Sequence, residues 1–257
     1  MSQLTATFLG TGTSQGIPVI ACNCGVCKSD DFRDNRLRTS LMISKGSKNI
    51  VIDTGPDFRQ QMLRESVSQL EAVVFTHEHK DHTSGMDDIR AFNYSSKKAM
   101  QVFATAEVQN SLRREFHYVF SADKYPGVPE VNLNAITNDA FELMGESIMP
   151  IDVLHFRLPV KAFRIRDFGY VTDANFIPEE SFEKLKGVKW LVLNALRKQP
   201  HVSHFNLDEA IQVANRIGAE KTWLTHISHM MGKHGEVTAE LPSNIELAFD
   251  GLKVDIG

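Results

Sequence analysis

One short run limits what this chain can fold into more than any other feature. Residues 76–82 read Thr-His-Glu-His-Lys-Asp-His, and they follow an apolar segment, residues 70–75, that contains Val73 and Val74. The apolar, β-branched segment predicts a short buried strand, so the histidines and the aspartate stand at its carboxyl end, where the chain turns. Open α/β sheets bind ligands at that edge.

The residue types in this run indicate a metal site. His77, His79 and His82 stand at positions i, i+2 and i+5, which is not the spacing that two histidines need to share one face of a helix. We therefore expect a loop whose side chains converge from one tight turn. Imidazole nitrogens and carboxylate oxygens suit zinc, manganese or iron, and Asp81 beside His82 can serve a second ion.

The pattern H-x-H-x-D-H after an apolar strand resembles the metallo-β-lactamase superfamily. The resemblance implies an α/β fold, a four-layer αβ/βα sandwich, that holds one or two metal ions at the edges of its sheets. It also implies three further ligands in the order His, Asp, His. This chain offers His155, Asp173 and His226 in that order, each directly after a strand-like run.

The resemblance also implies how the ligands are shared between two ions. One ion would take His77, His79, His155 and Asp173, and the other would take Asp81, His82, Asp173 and His226, so that Asp173 bridges the pair. Two divalent ions about 3.5–4 Å apart can share a water, lower its pKa toward neutrality and clamp the oxygens of a phosphoryl group. We therefore expect hydrolysis, and we count Asp81 as catalytic because it helps to activate that water.

A second cluster contains every cysteine of the protein. The cysteines are Cys22, Cys24 and Cys27, in a C-x-C-x-x-C run. Their odd number and tight spacing argue against disulfides. Zinc needs a fourth ligand, for which we choose His229, with His234 as the alternative. A Cys3His site leaves no position open for chemistry, so we expect a structural zinc in a loop of about residues 20–30.

The cysteine run, the histidine motif and a closing His-x-x-His are together similar to the PhnP-type phosphodiesterases, which hydrolyse cyclic phosphates of ribose. The similarity spans nearly the whole chain and includes residues 8–18, 36–40, 52–59 and 85–90. It implies that His204, ahead of a helix over residues 207–217, protonates the leaving alcohol, with His201 as the alternative donor. A histidine suits such proton transfer near neutral pH.

Length and composition predict one compact domain over residues 1–257. The hydrophobic content of 42% is enough for a sizeable core, and no linker or low-complexity block divides the chain. Strands dominate residues 3–104 and 131–172, with amphipathic stretches at 58–65, 106–116, 178–185 and 207–217. The start has no export signal and no segment is long and apolar enough for a membrane span, so we expect a cytoplasmic protein with no membrane partner.

The net charge of the chain indicates which kind of phosphate substrate to expect. The chain has a net charge of −4 and a pI of about 6.2, and its Lys and Arg residues are scattered. Long-range attraction for RNA would be weak, so we expect a small phosphate ester and not nucleic acid. The alternatives are an RNA-processing endonuclease of the tRNA 3′-end type and a thioester hydrolase or biosynthetic relative. The oligomeric state is open, with a homodimer the usual arrangement.

Lys80 departs from the commoner superfamily pattern, in which a small residue is frequent between the second histidine and the aspartate. A cation beside two metal ions is unfavourable. We therefore expect Lys80 to point away from the site into solvent, with a contact to a substrate phosphate as the alternative.

Overall fold

Two seven-stranded sheets form the centre of the computed structural model, which describes residues 3–257. The first sheet contains β1 (Leu4–Gly10), β2 (Ser40–Lys45), β3 (Lys48–Ile52), β4 (Ala72–Val74), β5 (Met100–Ala104), β6 (Val131–Ala135) and, from the end of the chain, β14 (Lys253–Asp255). The second contains β7 (Phe141–Leu143), β8 (Glu146–His155), β9 (Leu158–Ile165), β10 (Phe168–Val171), β11 (Trp190–Asn194), β12 (Lys221–Thr225) and β13 (Ile245–Leu247).

Both sheets are mixed. The strand orders are β14-β1-β2-β3-β4-β5-β6 and β13-β12-β11-β10-β9-β8-β7. In the first sheet β3 to β6 pair in parallel, and in the second β10 to β13 do so. Parallel neighbours need crossover connections, and most of the helices lie in them.

Eight α-helices cover the outer faces of the sheets or lie in their connections. They are α1 (Phe58–Arg64), α2 (Lys80–Thr83), α3 (Arg90–Ser96), α4 (Ala106–Glu115), α5 (His117–Phe120), α6 (Glu179–Leu185), α7 (Leu207–Ile217) and α8 (His234–Glu240), counted over residues 3–257. The four predicted amphipathic stretches correspond to α1, α4, α6 and α7. Helix α7 begins with a capping box between Asn206 and Glu209 and ends at Gly218, whose φ is +75°. Its sequence signals are local, which is why its bounds were predictable.

Apolar side chains form three layers of core. Between the sheets, Phe8 and Ile43 of the first sheet pack in one cluster with Tyr170 and Trp223 of the second. A second cluster joins the outer face of the first sheet to α1, α3 and α4, and a third joins the second sheet to α6, α7 and α8. The order helices, sheet, sheet, helices confirms the predicted αβ/βα sandwich. None of the helices in residues 3–257 has the length and apolar content that a membrane crossing requires.

The two halves also meet at the edge where the predicted ligands lie. Gly12 forms bridges with both Arg38 and Ile227, and Ile227 donates its N–H to the carbonyl of Thr11. The turn after β1 is thereby fixed beside the end of β12. This contact brings the amino-terminal loop next to the segment that begins with His226.

Candidate active site

The carboxylate of Asp173 lies at the centre of the histidine cluster. Asp173 follows β10 and is buried, and its Oδ1 accepts a hydrogen bond of 2.9 Å from the hydroxyl of Thr172. Its Oδ2 lies 3.7 Å from Nε2 of His77, 3.2 Å from Nε2 of His82 and 3.3 Å from Nε2 of His226. One carboxylate oxygen therefore faces three imidazoles, two from the motif at residues 76–82 and one from a segment more than 140 residues later.

These separations fit ligands that share metal ions. Two atoms that each lie about 2.1 Å from a tetrahedral ion are about 3.4 Å apart. Oδ2 of Asp81 lies 3.4 Å from Nε2 of His82 and 3.7 Å from Nε2 of His226, in the same range. The Nε2 atoms of His77, His82 and His226 are buried without a hydrogen-bond partner among residues 3–257. Buried polar atoms normally have partners, so this arrangement of donors fits a metal centre.

The predicted ligands fall into overlapping groups around Asp173. Asp81, His82, Asp173 and His226 form one group whose ligand atoms all lie within 4.8 Å of one another, as predicted for one ion. His77 and His79 form a second group with Asp173, but His155 groups with Asp173 and His204. The ring of His155 is nevertheless 5.1 Å from that of His79. The structure thus brings all seven predicted ligands to one edge and places His155 between the second group and His204.

The expected loop for residues 77–82 is only partly correct. His77 and His79 lie in extended chain after β4, but Asp81 and His82 lie in α2, a single helical turn. The backbone of this turn packs against two glycines. A Cβ at Gly55 would lie 2.2 Å from the carbonyl oxygen of Asp81, and a Cβ at Gly85 would lie 2.1 Å from that of Gly55. Only glycine permits this close approach, which fixes where α2 directs Asp81 and His82.

Asp53 is the functional residue that the sequence analysis did not assign. It follows β3 and is fully buried; its Oδ2 accepts a hydrogen bond of 2.7 Å from Nδ1 of His82 and one of 2.8 Å from the hydroxyl of Thr76. Since that hydroxyl donates to Asp53, it accepts from Nδ1 of His77 at 2.9 Å. Both histidines are thus held in the tautomer that leaves Nε2 free to bind a metal. Asp53 lies in residues 52–59, whose similarity to the PhnP-type phosphodiesterases did not by itself indicate a role for it.

The site contains several residues with strained backbone. Asp53, Asp173 and His226 have φ values of +66°, +57° and +56°. Residues other than glycine seldom adopt this conformation, and such strain concentrates at functional sites. All three follow strands, so the unusual conformation turns each side chain toward the common edge.

Burial and the surrounding charges set the protonation of these groups. Burial and the neighbouring His82 lower the pKa of His77 well below its usual value, which keeps its ring neutral. Burial opposes a charge on His82, but Asp173, Asp53 and Asp81 together raise its pKa well above the usual value. Burial also opposes ionisation of Asp173, yet His226 and His82 lower its pKa well below normal. Asp173 is therefore an ionised carboxylate, as a bridging ligand must be.

His204 lies in the middle of the histidine cluster. Its ring stacks at 4.6 Å on that of His226 and lies 4.4 Å from that of His155, whose Nδ1 donates to the carbonyl of Ser203. Its own Nδ1 is buried without a partner among the described residues. Burial and His226 lower the pKa of His204 to about 2, so the ring is neutral before an anionic substrate enters. The alternative donor, His201, lies farther out, with its ring 5.4 Å from that of His204.

The cysteines meet His229 in a separate cluster. Nδ1 of His229 lies 3.3 Å from Sγ of Cys22, 3.4 Å from Sγ of Cys24 and 3.6 Å from Sγ of Cys27. A tetrahedral zinc with sulfur and nitrogen ligands places such atoms about 3.6 Å apart, so the four residues fit this ion. The alternative ligand, His234, instead accepts a hydrogen bond of 3.1 Å from Arg36. The backbone N–H of Cys27 and the ring of His229 lower the pKa of Cys24 to about 6, which favours the thiolate that zinc binds.

Lys80 points away from the metal-binding edge. Its ammonium group pairs with Glu115 at the end of α4, and its side chain is 65% exposed. The prediction that Lys80 faces solvent is therefore correct. The salt bridge also explains how a cation is accommodated next to His79 and Asp81.

Comparison with known proteins identifies the family to which this chain belongs. A family model for the β-lactamase superfamily domain matches residues 48–227. An octanoyltransferase from Porphyromonas gingivalis (strain ATCC BAA-308 / W83) is 39% identical over 252 residues, which make up 97% of this chain and 51% of that protein. The chain thus spans about half the length of this curated relative.

Solved structures agree with that result. A crystal structure of a new diphosphatase from the PhnP family is 38% identical, with a TM-score of 0.92 over 98% of this chain and 97% of the other. Zinc-bound PqqB from Methylobacterium extorquens shares the fold at 17% identity, with a TM-score of 0.79 over 98% of this chain and 99% of that chain. With its matched domain, its sandwich fold and its histidine cluster, the chain belongs to the metallo-β-lactamase superfamily and, within it, to the PhnP-type hydrolases.

Proposed function

We propose that this protein is a dinuclear-metal-dependent hydrolase of a small phosphodiester, such as a cyclic ribose phosphate or a nucleotide. The observation that carries the proposal is the position of Asp173 Oδ2, within 3.7 Å of three buried imidazole nitrogens that have no hydrogen-bond partner among the described residues. One ionised carboxylate shared between two ligand groups is what a pair of cations needs, because it reduces their mutual repulsion.

The ligands of the two ions are those predicted from the sequence. His77, His79, His155 and Asp173 would hold one ion, and Asp81, His82, Asp173 and His226 the other. Zinc, manganese and iron all suit this mixture of nitrogen and oxygen donors. Bound divalent ions would activate a water and neutralise charge on the phosphoryl oxygens. In the separate cluster, Cys22, Cys24, Cys27 and His229 would hold a structural zinc.

Within this proposal His204 serves as the general acid. Attack of water forms a new phosphorus–oxygen bond, and the bond to the leaving oxygen breaks with its electron pair on that oxygen. The leaving oxygen then takes a proton from His204, and the proton that the attacking water releases passes to solvent, from which the ring takes up a proton again. Without substrate the ring is neutral because burial lowers its pKa to about 2. A phosphate anion beside the ring would raise that pKa, so the substrate itself would supply the charge that lets His204 carry the proton.

A diphosphate is the second candidate substrate. It is favoured by the relative that is 38% identical over nearly the full length and is described as a diphosphatase. A phosphoanhydride presents the same phosphoryl oxygens to two cations but has a better leaving group, so it would depend less on His204. Long RNA fits less well because the chain has a net charge of −4.

We also propose a cytoplasmic location, since a cluster of reduced thiols suits a reducing compartment.

A substrate panel tests the proposal. Purified protein loaded with manganese or zinc should cleave bis-p-nitrophenyl phosphate and either a 1,2- or 2′,3′-cyclic ribose phosphate or a dinucleoside diphosphate. Asp173→Ala should abolish this activity while the protein remains folded. Asp167→Ala, which removes an exposed carboxylate in the turn before β10, is the matched control and should keep full activity.

Two results would contradict the proposal. Cleavage confined to precursor tRNA would identify an RNA-processing enzyme. Activity confined to an octanoyl thioester would identify an acyl hydrolase or transferase, which is the chemistry named for the Porphyromonas relative that is about twice as long.

A further inference from the structure

A shallow cavity opens beside the histidine cluster. It has a volume of about 510 Å³ and extends from His79 and His155 to Phe156, Arg157 and Val202. A group bound in this cavity would lie next to two predicted metal ligands. Its outer wall is therefore placed to contact the part of a substrate that is not attacked.

Phe156 forms this wall from a strained position. His155 pairs with Leu158 across β8 and β9, so Phe156 and Arg157 are the two residues of a tight hairpin loop. Phe156 has a φ of +58°, a conformation that favours glycine and is rare for a bulky side chain. Its N–H donates to Oδ1 of Asn175 at 2.6 Å, and Nδ2 of Asn175 donates to the carbonyl of Val202 at 3.1 Å. The loop is thus held against the opposite wall of the cavity.

The side chains of this loop are available for binding. The ring of Phe156 is 52% exposed although it is large and apolar. The guanidinium of Arg157 lies over the ring, 5.2 Å from its centroid. Arg157 forms no salt bridge with any carboxylate of residues 3–257. An exposed aromatic face and a cation without an acidic partner therefore lie directly after the metal ligand His155.

We propose that Phe156 selects substrates that carry a nucleobase and that Arg157 binds their phosphate. The base would stack on the ring of Phe156, with Val202 opposite, and the guanidinium of Arg157 would pair with a phosphate oxygen. The inference rests on the proposed phosphoryl hydrolysis and narrows its substrate class to nucleotides, as opposed to phosphates of bare sugars. Stacking explains why a strained aromatic residue occupies a position that glycine would fill without strain.

Two ligands that differ only in the base test this proposal. AMP and ribose 5-phosphate share the ribose and the phosphate, and their binding to the metal-loaded full chain can be measured by titration calorimetry. We expect the wild type to bind AMP about tenfold more tightly, from the usual strength of base stacking on an aromatic side chain. Phe156→Leu should remove that preference, whereas Phe156→Tyr should retain it. Equal binding of the two ligands by the wild type overturns the proposal, even if Phe156→Leu does not fold.

Two further variants separate the role of Arg157 from that of Phe156. Arg157→Gln should weaken both ligands by a similar factor, because both carry the phosphate. Tyr125→Leu is the matched control, since Tyr125 is 80% exposed in the loop that leads into β6, and it should change neither affinity. A preference for AMP that persists in Phe156→Leu would also overturn the proposal.

Hydrolysis of bis-p-nitrophenyl phosphate separates this inference from the function on which it rests. If the ester is cleaved and AMP is bound no better than ribose 5-phosphate, the inference alone is wrong. If the ester is not cleaved and the preference for AMP depends on Phe156, the inference that a nucleobase stacks on Phe156 is supported and the proposed hydrolysis is wrong.

Discussion

Oδ2 of Asp53 accepts a hydrogen bond of 2.7 Å from Nδ1 of His82, and the two side chains are buried together. The same carboxylate orients His77 through the hydroxyl of Thr76. One aspartate outside the ligand set therefore positions a histidine from each of the two predicted ion sites. Carboxylate partners of this kind fix the tautomer of a ligating histidine and increase its basicity.

Asp53→Asn should weaken metal binding at both predicted sites. The carboxylate accepts from His82 and the hydroxyl of Thr76 at Oδ2 and from the backbone N–H of Thr76 at Oδ1, at 2.8 Å. An amide has one oxygen and cannot accept on both sides, so the fixed orientation of both rings is lost. We expect metal affinity or kcat/KM to fall about 10- to 100-fold, the usual effect of losing such a partner. Asparagine tolerates a positive φ, so the backbone at +66° should persist. Metal titration and kinetics check this, with Asp167→Asn as the control. Unchanged metal affinity would contradict the positioning role.

Cys24→Ser should remove the proposed structural zinc and leave the metal ions proposed for the histidine cluster in place. The hydroxyl is a poor zinc ligand, and the three remaining ligands hold the ion weakly. We expect lower zinc content and a Tm lower by several degrees, because metal binding contributes directly to stability. Elemental analysis with thermal melting checks both quantities. Equal loss of metal from the thiol and histidine clusters would show that they are not independent.

His204→Ala should affect substrates according to their leaving group. An alkoxide needs a proton as it departs, whereas p-nitrophenolate does not, so only the first should depend on the imidazole. We expect kcat to fall about 100- to 10,000-fold for an alkyl or cyclic ribose ester and far less for bis-p-nitrophenyl phosphate. His201→Ala is the matched control on the same loop. Equal losses on both substrates would assign His204 to metal binding with His155 and not to proton transfer.

His234 should make the fold sensitive to acid. Arg36 can only donate, so Nδ1 of His234 accepts its hydrogen bond at 3.1 Å, and the ring must be neutral. Burial and the charges of Arg36 and Arg33 lower its pKa to about 4, below the value of about 6.5 in the unfolded chain. The folded state binds this proton less readily, so the stabilisation present above about pH 6.5 is lost as the pH falls toward about 4.

His234→Gln tests that dependence. The glutamine oxygen can accept from Arg36 and does not titrate, so the free energy of unfolding should fall less between about pH 7 and about pH 5 than in the wild type. Denaturant titrations at both pH values give the two differences. Parallel pH profiles for the wild type and the variant would show that other groups, such as the cysteine thiols, cause the acid sensitivity.

Much of the fold was readable from the sequence because its signals are local. The apolar run before His77 and the strand-like runs before His155, Asp173 and His226 correspond to strands whose ends meet at one edge. The amphipathic stretch predicted at residues 207–217 corresponds to α7 in the same way. Three cysteines close together in the sequence indicated a thiolate site, and His229 is the histidine that lies among them.

Residue types and the ends of strands are encoded over a few residues, so the layered sandwich and the side chains that meet at the candidate metal site could be predicted from the chain alone. Three relationships became visible in the folded protein alone: Asp53 orients His77 and His82, His155 groups with His204, and Phe156 is strained beside the cavity. These relationships depend on how distant strands pair and on which backbone atoms meet across them. No periodicity or motif in the chain records such distances, because they result from packing that joins residues far apart in sequence.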